Sequence, residues 1–280
     1  MLLCGPAAYA KRVPDRRLSR KRLQSAAATW EGDALASLTL YHGWRSSASR
    51  RVRLCLAEKG LAFDSKVIDL VKGEHHSPEF LKLNPNGVIP LLILEDGRAL
   101  YESGTICEYV DETWPEPPLR PADAYGRAEM RNWIRHVDGL IGNLIIFNWV
   151  HGMAQVARKW TDAELAERLA RVPSKERREA WLRTARKPYT EEERAEARDK
   201  LKTALLDRME DAIGPSGWLV GDRYSLADIG AVPFVKRIDE EIAPDEMTRG
   251  RHAKVAAWWA AIQARPAFAT ARIEAFTGGG

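Results

Sequence analysis

The hydroxyls best placed to do chemistry are those of Ser46, Ser47 and Ser49, in the run Tyr41-His42-Gly43-Trp44-Arg45-Ser46-Ser47-Ala48-Ser49-Arg50-Arg51-Val52-Arg53-Leu54. A short apolar stretch, Leu38-Thr39-Leu40, precedes them and reads as a strand. The helical pattern that follows runs to Glu58-Lys59, with Gly60 as its C-cap. The serines therefore stand where a strand feeds a helix N-terminus. That end of a helix carries unpaired N–H groups and a partial positive charge, so it favours an anion such as a thiolate. Serine here is also an ordinary helix cap. On these residues alone the two readings stand level.

The elements that must position these hydroxyls follow in order. Phe63-Asp64-Ser65-Lys66-Val67-Ile68-Asp69-Leu70 reads as a second strand. After a loop, Ser77-Pro78-Glu79 opens a short helix, with Ser77 as N-cap and proline at the first helical position. Asn84-Pro85-Asn86-Gly87-Val88-Ile89-Pro90 is turn chemistry that runs into the strand Leu91-Leu92-Ile93-Leu94. Pro90 opens that strand at no loss to its ladder, and the X-Pro bond before it is a candidate for a cis peptide. Asp96-Gly97 makes a hairpin to Ala99-Leu100-Tyr101, and Glu102-Ser103 begins a helix with Ile106, Tyr109 and Val110 on one face. The order βαβαββα over residues 37–114 is a thioredoxin-like domain.

A proline-dense linker at 115–121 ends that domain, and residues 122–276 read as all-helical. Met130, Trp133, Ile134, Val137, Leu140, Ile141, Leu144 and Ile145 recur at helical spacing and are core candidates. A second such pattern covers Asp199 to Ile213. Ser225 and Asp228 form a capping box. The segment 155–198 is a charged insert broken by Pro173 and Pro188. It is either a solvated helical excursion or a cover whose Trp160, Trp181 and Tyr189 overlie a substrate cleft.

Composition narrows the class. Residues 1–30 hold seven Lys or Arg and one acid, which leaves 36 basic against 38 acidic side chains elsewhere. The net +4 thus belongs to the extension, and the rest gives no reason to expect a nucleic-acid partner. Residues 1–36 are expected to be a disordered basic tail from an upstream start site. No apolar run approaches the ~18–20 residues of a membrane span, so no membrane partner is expected. Cys4, Cys55 and Cys107 are too scattered for a disulfide framework or a zinc site, so no metal is expected and a reducing, cytoplasmic compartment is. No His or Asp is placed to make serine itself the nucleophile.

Four local patterns in this order resemble the cytosolic-type glutathione transferases of the serine, theta- or zeta-like kind. They are Ser46-Ser47-Ala48-Ser49-Arg50-Arg51-Val52-Arg53, Asn84 to Pro90, Glu102-Ser103 with Ile106, and Ser225-Leu226-Ala227-Asp228. The resemblance implies glutathione as co-substrate, a small aromatic electrophile and a homodimer. It implies that Ser46, the first serine of the zeta-class pattern, donates to the glutathione sulfur. Ala48 stands where zeta has cysteine, which puts zeta-type isomerase activity in doubt. Lys72-Gly73-Glu74-His75 is similar to a theta-class loop whose histidine helps hold the tripeptide. Ile89 matches the residue whose backbone pairs with the cysteinyl part, with Val88 counted beside it, and Glu102 and Ser103 match the pair that binds the γ-glutamyl end. No dithiol exists at the helix start, where Ser46 and Ser49 fill the Cys-x-x-Cys positions, so thiol–disulfide exchange is disfavoured.

Further patterns resemble the bacterial β-aryl etherases of this family: Leu119-Arg120-Pro121-Ala122-Asp123, Arg127-Ala128-Glu129-Met130-Arg131, Trp133 and Val137-Asp138, and the insert with Val172-Pro173. That lineage places its key serine nearer Ser49, so Ser49 is the rival to Ser46. Trp44, Arg45, Phe147 and Trp149 are candidates for the electrophile site. The competing readings are a non-catalytic glutathione transferase-like binding or assembly module and a zeta-like isomerase.

Overall fold

The computed structural model describes residues 38–148, 154–248 and 250–273. The basic extension 1–36 and Trp149 lie outside the described residues. Strand β1 (Leu38–His42) pairs in parallel with β2 (Phe63–Val67), Leu38 opposite Phe63. On its other side β1 runs antiparallel to β3 (Leu91–Ile93), and β3 to β4 (Ala99–Tyr101), giving the order β2-β1-β3-β4. Helix α1 (Ser47–Glu58) links β1 to β2, α2 (Pro78–Leu83) precedes β3, and α3 (Ser103–Thr113) follows β4. This is the thioredoxin-like βαβαββα order. Ser77 caps α2 as its sequence predicts, accepting from the Phe80 N–H at 3.2 Å.

Helix α1 sits between α3 and a helix of the second half, α11 (Leu226–Arg237). Its apolar positions Val52, Leu54 and Leu56 are buried, each stabilising by about 1.5–3 kcal/mol. The polar face is buried too. Arg50, Arg51 and Arg53 are only 1–3% exposed. Arg50 pairs with Glu240 at 3.3 Å, Arg51 donates to the Gly230 carbonyl at 3.3 Å, and Arg53 donates to the Ala271 carbonyl at 3.0 Å. Buried guanidinium groups need partners of this kind. Three arginines thus bolt the first helix to the helical half. At the far end of α1, Lys59 Nζ lies 2.6 Å from Asp111 Oδ1 with both side chains buried, and Asp111 also accepts from the Leu119 N–H of the linker.

The helical half begins with α4 (Ala124–Asp138) and α5 (Ile141–Asn148). The insert follows as α6 (Ala154–Ala157), α7 (Asp162–Ala170), α8 (Lys175–Arg186) and α9 (Glu191–Leu201). The pattern expected as one helix over Asp199–Ile213 is α9, a π-helical stretch at Lys202–Asp207 and α10 (Arg208–Ala212). The wider π turn changes the phase, and Leu201, Leu205, Leu206 and Met209 all end fully buried. Beyond α11 come α12 (Ala253–Gln263) and α13 (Pro266–Thr270). Asp228 accepts from Ser225 N–H at 2.9 Å, from Trp258 Nε1 at 2.9 Å and from Leu219 N–H at 3.1 Å. Burial lifts this carboxyl to about 6 against those bonds.

The insert has a small core of its own. Leu165, Val172, Trp181 and Ala185 are buried in it, with Trp160, Leu169 and Tyr189 packed around them. The Trp160 and Trp181 rings lie 5.4 Å apart. Arg168 sits over Trp160 and donates to the Val71 and Lys72 carbonyls, which ties the insert to the loop after β2.

Candidate active site

Ser46 is the N-cap of α1, and its Oγ accepts from the Ser49 N–H at 3.2 Å. Accepting that bond leaves the hydroxyl proton free to donate. The residue is half-buried, at the mouth of a helix whose first turn holds no acid. Ser49 is different. It is fully buried and its Oγ accepts from the Gly43 N–H at 3.3 Å, closing the turn between β1 and α1. Ser47 is buried as well.

Gly43 has a reason to be glycine. A Cβ there would lie 3.0 Å from Ile89 Cδ1 and 3.7 Å from Ser46 Cβ, so the bare backbone lets Ile89 approach the serine turn. The Ile89–Pro90 peptide is cis. Val88, Ile89, Glu102 and Ser103 line one cavity of about 690 Å³, joined by Ala48, Arg51, Asp138 and Arg177. The cavity lies between the thioredoxin-like half and the helical half.

Glu102 holds φ at 68°, a left-handed value for a residue with a side chain, at a cost of about 1–3 kcal/mol. That conformation sets the carboxylate at the N-terminus of α3, where Oε1 accepts from Asn86 Nδ2 at 3.3 Å. Next to it Ser103 is the first residue of α3, and its Oγ accepts from Arg51 Nη1 at 3.1 Å. Arg51 also pairs with Asp138 at 2.7 Å. A carboxylate beside a helix N-terminus and a serine hydroxyl offers matched partners for the ammonium and carboxylate of one amino-acid end.

His75 and His76 are buried against each other, ring centroids 3.8 Å apart. Burial first, then the neighbouring His76 and Arg177, hold His75 down to about 3. Burial, then Arg177, holds His76 down to about 4. Both rings are therefore neutral near pH 7, and His75 Nδ1 and His76 Nε2 are buried with no hydrogen-bond partner.

The electrophile candidates are not gathered together. Trp44 is held edge-on by His42 with ring centroids 4.8 Å apart, and the guanidinium groups of Arg53 and Arg272 lie over it at 4.9 and 5.2 Å. Arg45 is exposed beside Ser46, 3.9 Å from Glu241. Phe147 is buried in the main core and is not on the cavity wall. Arg51, Asp138 and Arg177 were given no role by the sequence reading. Arg51 and Asp138 stand inside family-like runs and Arg177 inside the charged insert, where residue type alone does not single them out.

The fold and this cavity define a thioredoxin-like domain with a serine at its first helix mouth, closed by helices of a second half. Residues 45–113 match the family model of the glutathione S-transferase N-terminal domain, and residues 172–266 that of the C-terminal domain. Protein LigF of Sphingobium sp. strain NBRC 103272 / SYK-6 is 34% identical over 82% of this chain and 91% of its own. Maleylacetoacetate isomerase of Pseudomonas aeruginosa is 32% identical over 70% of this chain and 79% of its own. The crystal structure of the beta-etherase LigF superposes with a TM-score of 0.76 at 33% identity, covering 84% of this chain and 98% of that one. The chain belongs to the glutathione S-transferase family.

Proposed function

We propose that this protein is a glutathione S-transferase that ionises the glutathione thiol at Ser46 and directs the sulfur at a small aromatic electrophile, with cleavage of a β-aryl ether as the reaction. The observation that carries the reading is the half-buried Ser46 hydroxyl at the mouth of α1, next to the cavity that holds Ile89, Glu102 and Ser103. Similarity to the beta-etherase LigF over 98% of that chain supports the choice of electrophile.

Free glutathione thiol has a pKa near ~8.5, so only a few per cent is thiolate at neutral pH. One charge-assisted hydrogen bond from Ser46 and the N-terminal field of α1 lower it, each pKa unit needing about 1.4 kcal/mol. The sulfur then attacks the carbon bearing the aryloxy group. A C–S bond forms, the C–O bond breaks with its electron pair, and the aryloxide leaves and takes a proton from solvent. Glu102 receives the γ-glutamyl ammonium, Ser103 and the α3 N-terminus its carboxylate, and Val88 and Ile89 the cysteinyl backbone. His75 acts as a neutral donor at most.

The second reading, a zeta-like isomerase, draws on the similarity to maleylacetoacetate isomerase. Ala48 on the cavity wall, where the zeta pattern has cysteine, speaks against it. The working form is inferred to be a cytoplasmic homodimer. Among the described residues no helix is long and apolar enough to cross a membrane, and Cys55 and Cys107 are free buried thiols.

The test is to incubate the full chain with glutathione and a panel of β-aryl ethers and organic halides. Phenol or halide release matched one-to-one by a glutathione thioether is expected. A chain that binds glutathione and forms no thioether with any of them would overturn the transferase reading in favour of a binding module.

A further inference from the structure

Most arginines of the insert have side-chain partners; Arg177, like the exposed Arg158, has none among the described residues. Arg168, Arg178 and Arg186 donate to main-chain carbonyls, and Arg171 and Arg183 pair with glutamates. The Arg177 guanidinium has no ion pair or hydrogen bond among the described residues. Its backbone N–H is taken by the Ser174 cap, which fixes it in the first turn of α8. From there it reaches the wall of the cavity that holds Glu102, Ser103 and Ile89.

The charges on that wall leave one position open. Arg51 is neutralised by Asp138 at 2.7 Å. Glu102 is matched to an ammonium. His75 and His76 do not line this wall, and burial keeps both neutral. Glutathione carries a second carboxylate, on its glycyl end, and among the described residues Arg177 is the one cation on that wall without an ion pair. Desolvation lowers the Arg177 pKa from its ordinary value, with a partial offset from the field of Glu102, and a guanidinium so placed stays charged at neutral pH.

We propose that Arg177 of the insert binds the glycyl carboxylate of glutathione, so that the insert is part of the glutathione site and sets its preference for the intact tripeptide. The proposal rests on the glutathione reading above. It also explains why a highly charged excursion is fastened to the loop after β2: Arg168 anchors α7 there, and α8 then presents Arg177 to the cavity.

The test compares glutathione with its glycyl monoethyl ester, in which an ethyl group caps the carboxylate and removes that charge, on the full chain carrying Arg177, Arg177→Gln or Arg177→Lys. Calorimetric Kd values and steady-state kinetics are the readouts. A charge-assisted bond predicts that Arg177→Gln weakens glutathione about 10- to 100-fold and leaves the ester within about twofold. KM for glutathione rises while kcat at saturation holds, and Arg177→Lys recovers part of the loss. Arg177 makes no internal side-chain bond, so the thermal midpoint is expected to stay within a degree or two of wild type. Equal loss for acid and ester, or no loss, would overturn the assignment while leaving the glutathione reading intact. A wild-type chain that binds neither ligand would overturn both.

Discussion

Replacing Ser46 and Ser49 one at a time by alanine separates two hydroxyls that sit three residues apart on one turn. Ser46 Oγ spends a lone pair on the Ser49 N–H at 3.2 Å and keeps its proton for a ligand. Ser46→Ala removes an N-cap, costing about 1 kcal/mol of stability. It also removes a charge-assisted donor worth about 1.5–3 kcal/mol to a thiolate, which raises the bound thiol pKa by roughly one to two units. Raising that pKa empties the thiolate form near pH 7, so the rate falls about 10- to 100-fold there. It recovers as pH climbs through the new pKa, because the thiol then ionises without help. Ser49→Ala has the opposite profile. It strands the Gly43 N–H in a fully buried site, at a cost of about 1–3 kcal/mol, and leaves the thiol pKa where it was. The assay is the ultraviolet absorption of the thiolate of bound glutathione, titrated against pH, with denaturant melts of each variant. A pKa raised in Ser49→Ala and unchanged in Ser46→Ala would refute the assignment of the two roles.

Arg51→Met removes the partner of Ser103, the Gly230 carbonyl and Asp138 together, and is expected to cost about 3 kcal/mol in denaturant melts. A loss under about 1 kcal/mol would mean that the buried guanidinium is not a tie between the halves. Gly87→Ala puts a side chain at φ 59° with its Cβ 2.9 Å from His76 Cδ2 and 3.1 Å from Pro173 Cδ. It should cost about 2 kcal/mol and speed proteolysis within the insert, and an unchanged melt would count against that contact. Acid lability follows from His42, His75 and His76, held down to about 4, about 3 and about 4. Between pH ~6.5 and those values the unfolded chain binds protons the native rings refuse, so stability falls as pH falls, by up to about 1.4 kcal/mol per unit for each ring. Asp228, lifted to about 6, works the other way below that pH and offsets about one ring. Melts at pH 7 and pH 5 should therefore show a net loss at pH 5, and equal stabilities would refute the buried-neutral state of the rings.

What could be read in advance was local. Ser46 and Ser77 as caps, the Asp96-Gly97 hairpin and the Ser225–Asp228 capping box all depend on residues within a few positions of each other. Burial of charge was not legible in the same way. Arg50, Arg51 and Arg53 look like a solvated basic face, and their partners lie 190, 179 and 218 residues away. Phe147 failed for a related reason: helical spacing shows that it is on an apolar face, but not that the face turns into the core. Trp160 and Trp181 fit neither reading of the insert outright, since they build a core of its own.

These failures share a cause, and it bears on function. A charged residue in sequence carries no mark of whether its counter-charge is supplied by water, by a distant acid or by a ligand. Arg50 and Arg51 found distant acids in Glu240 and Asp138, while most of the insert arginines found neighbouring carbonyls or glutamates. Those bonds consume the cations structurally and leave them little to offer a substrate. Among the described residues Arg177 and the Ser46 proton remain unspent, one on the cavity wall and one at its helix mouth. Unspent polar groups held in place by spent ones are what binding with little reorganisation requires. The arginine ties through α1 therefore serve the site by fixing α1, and with it Ser46, against the helices that close the cavity.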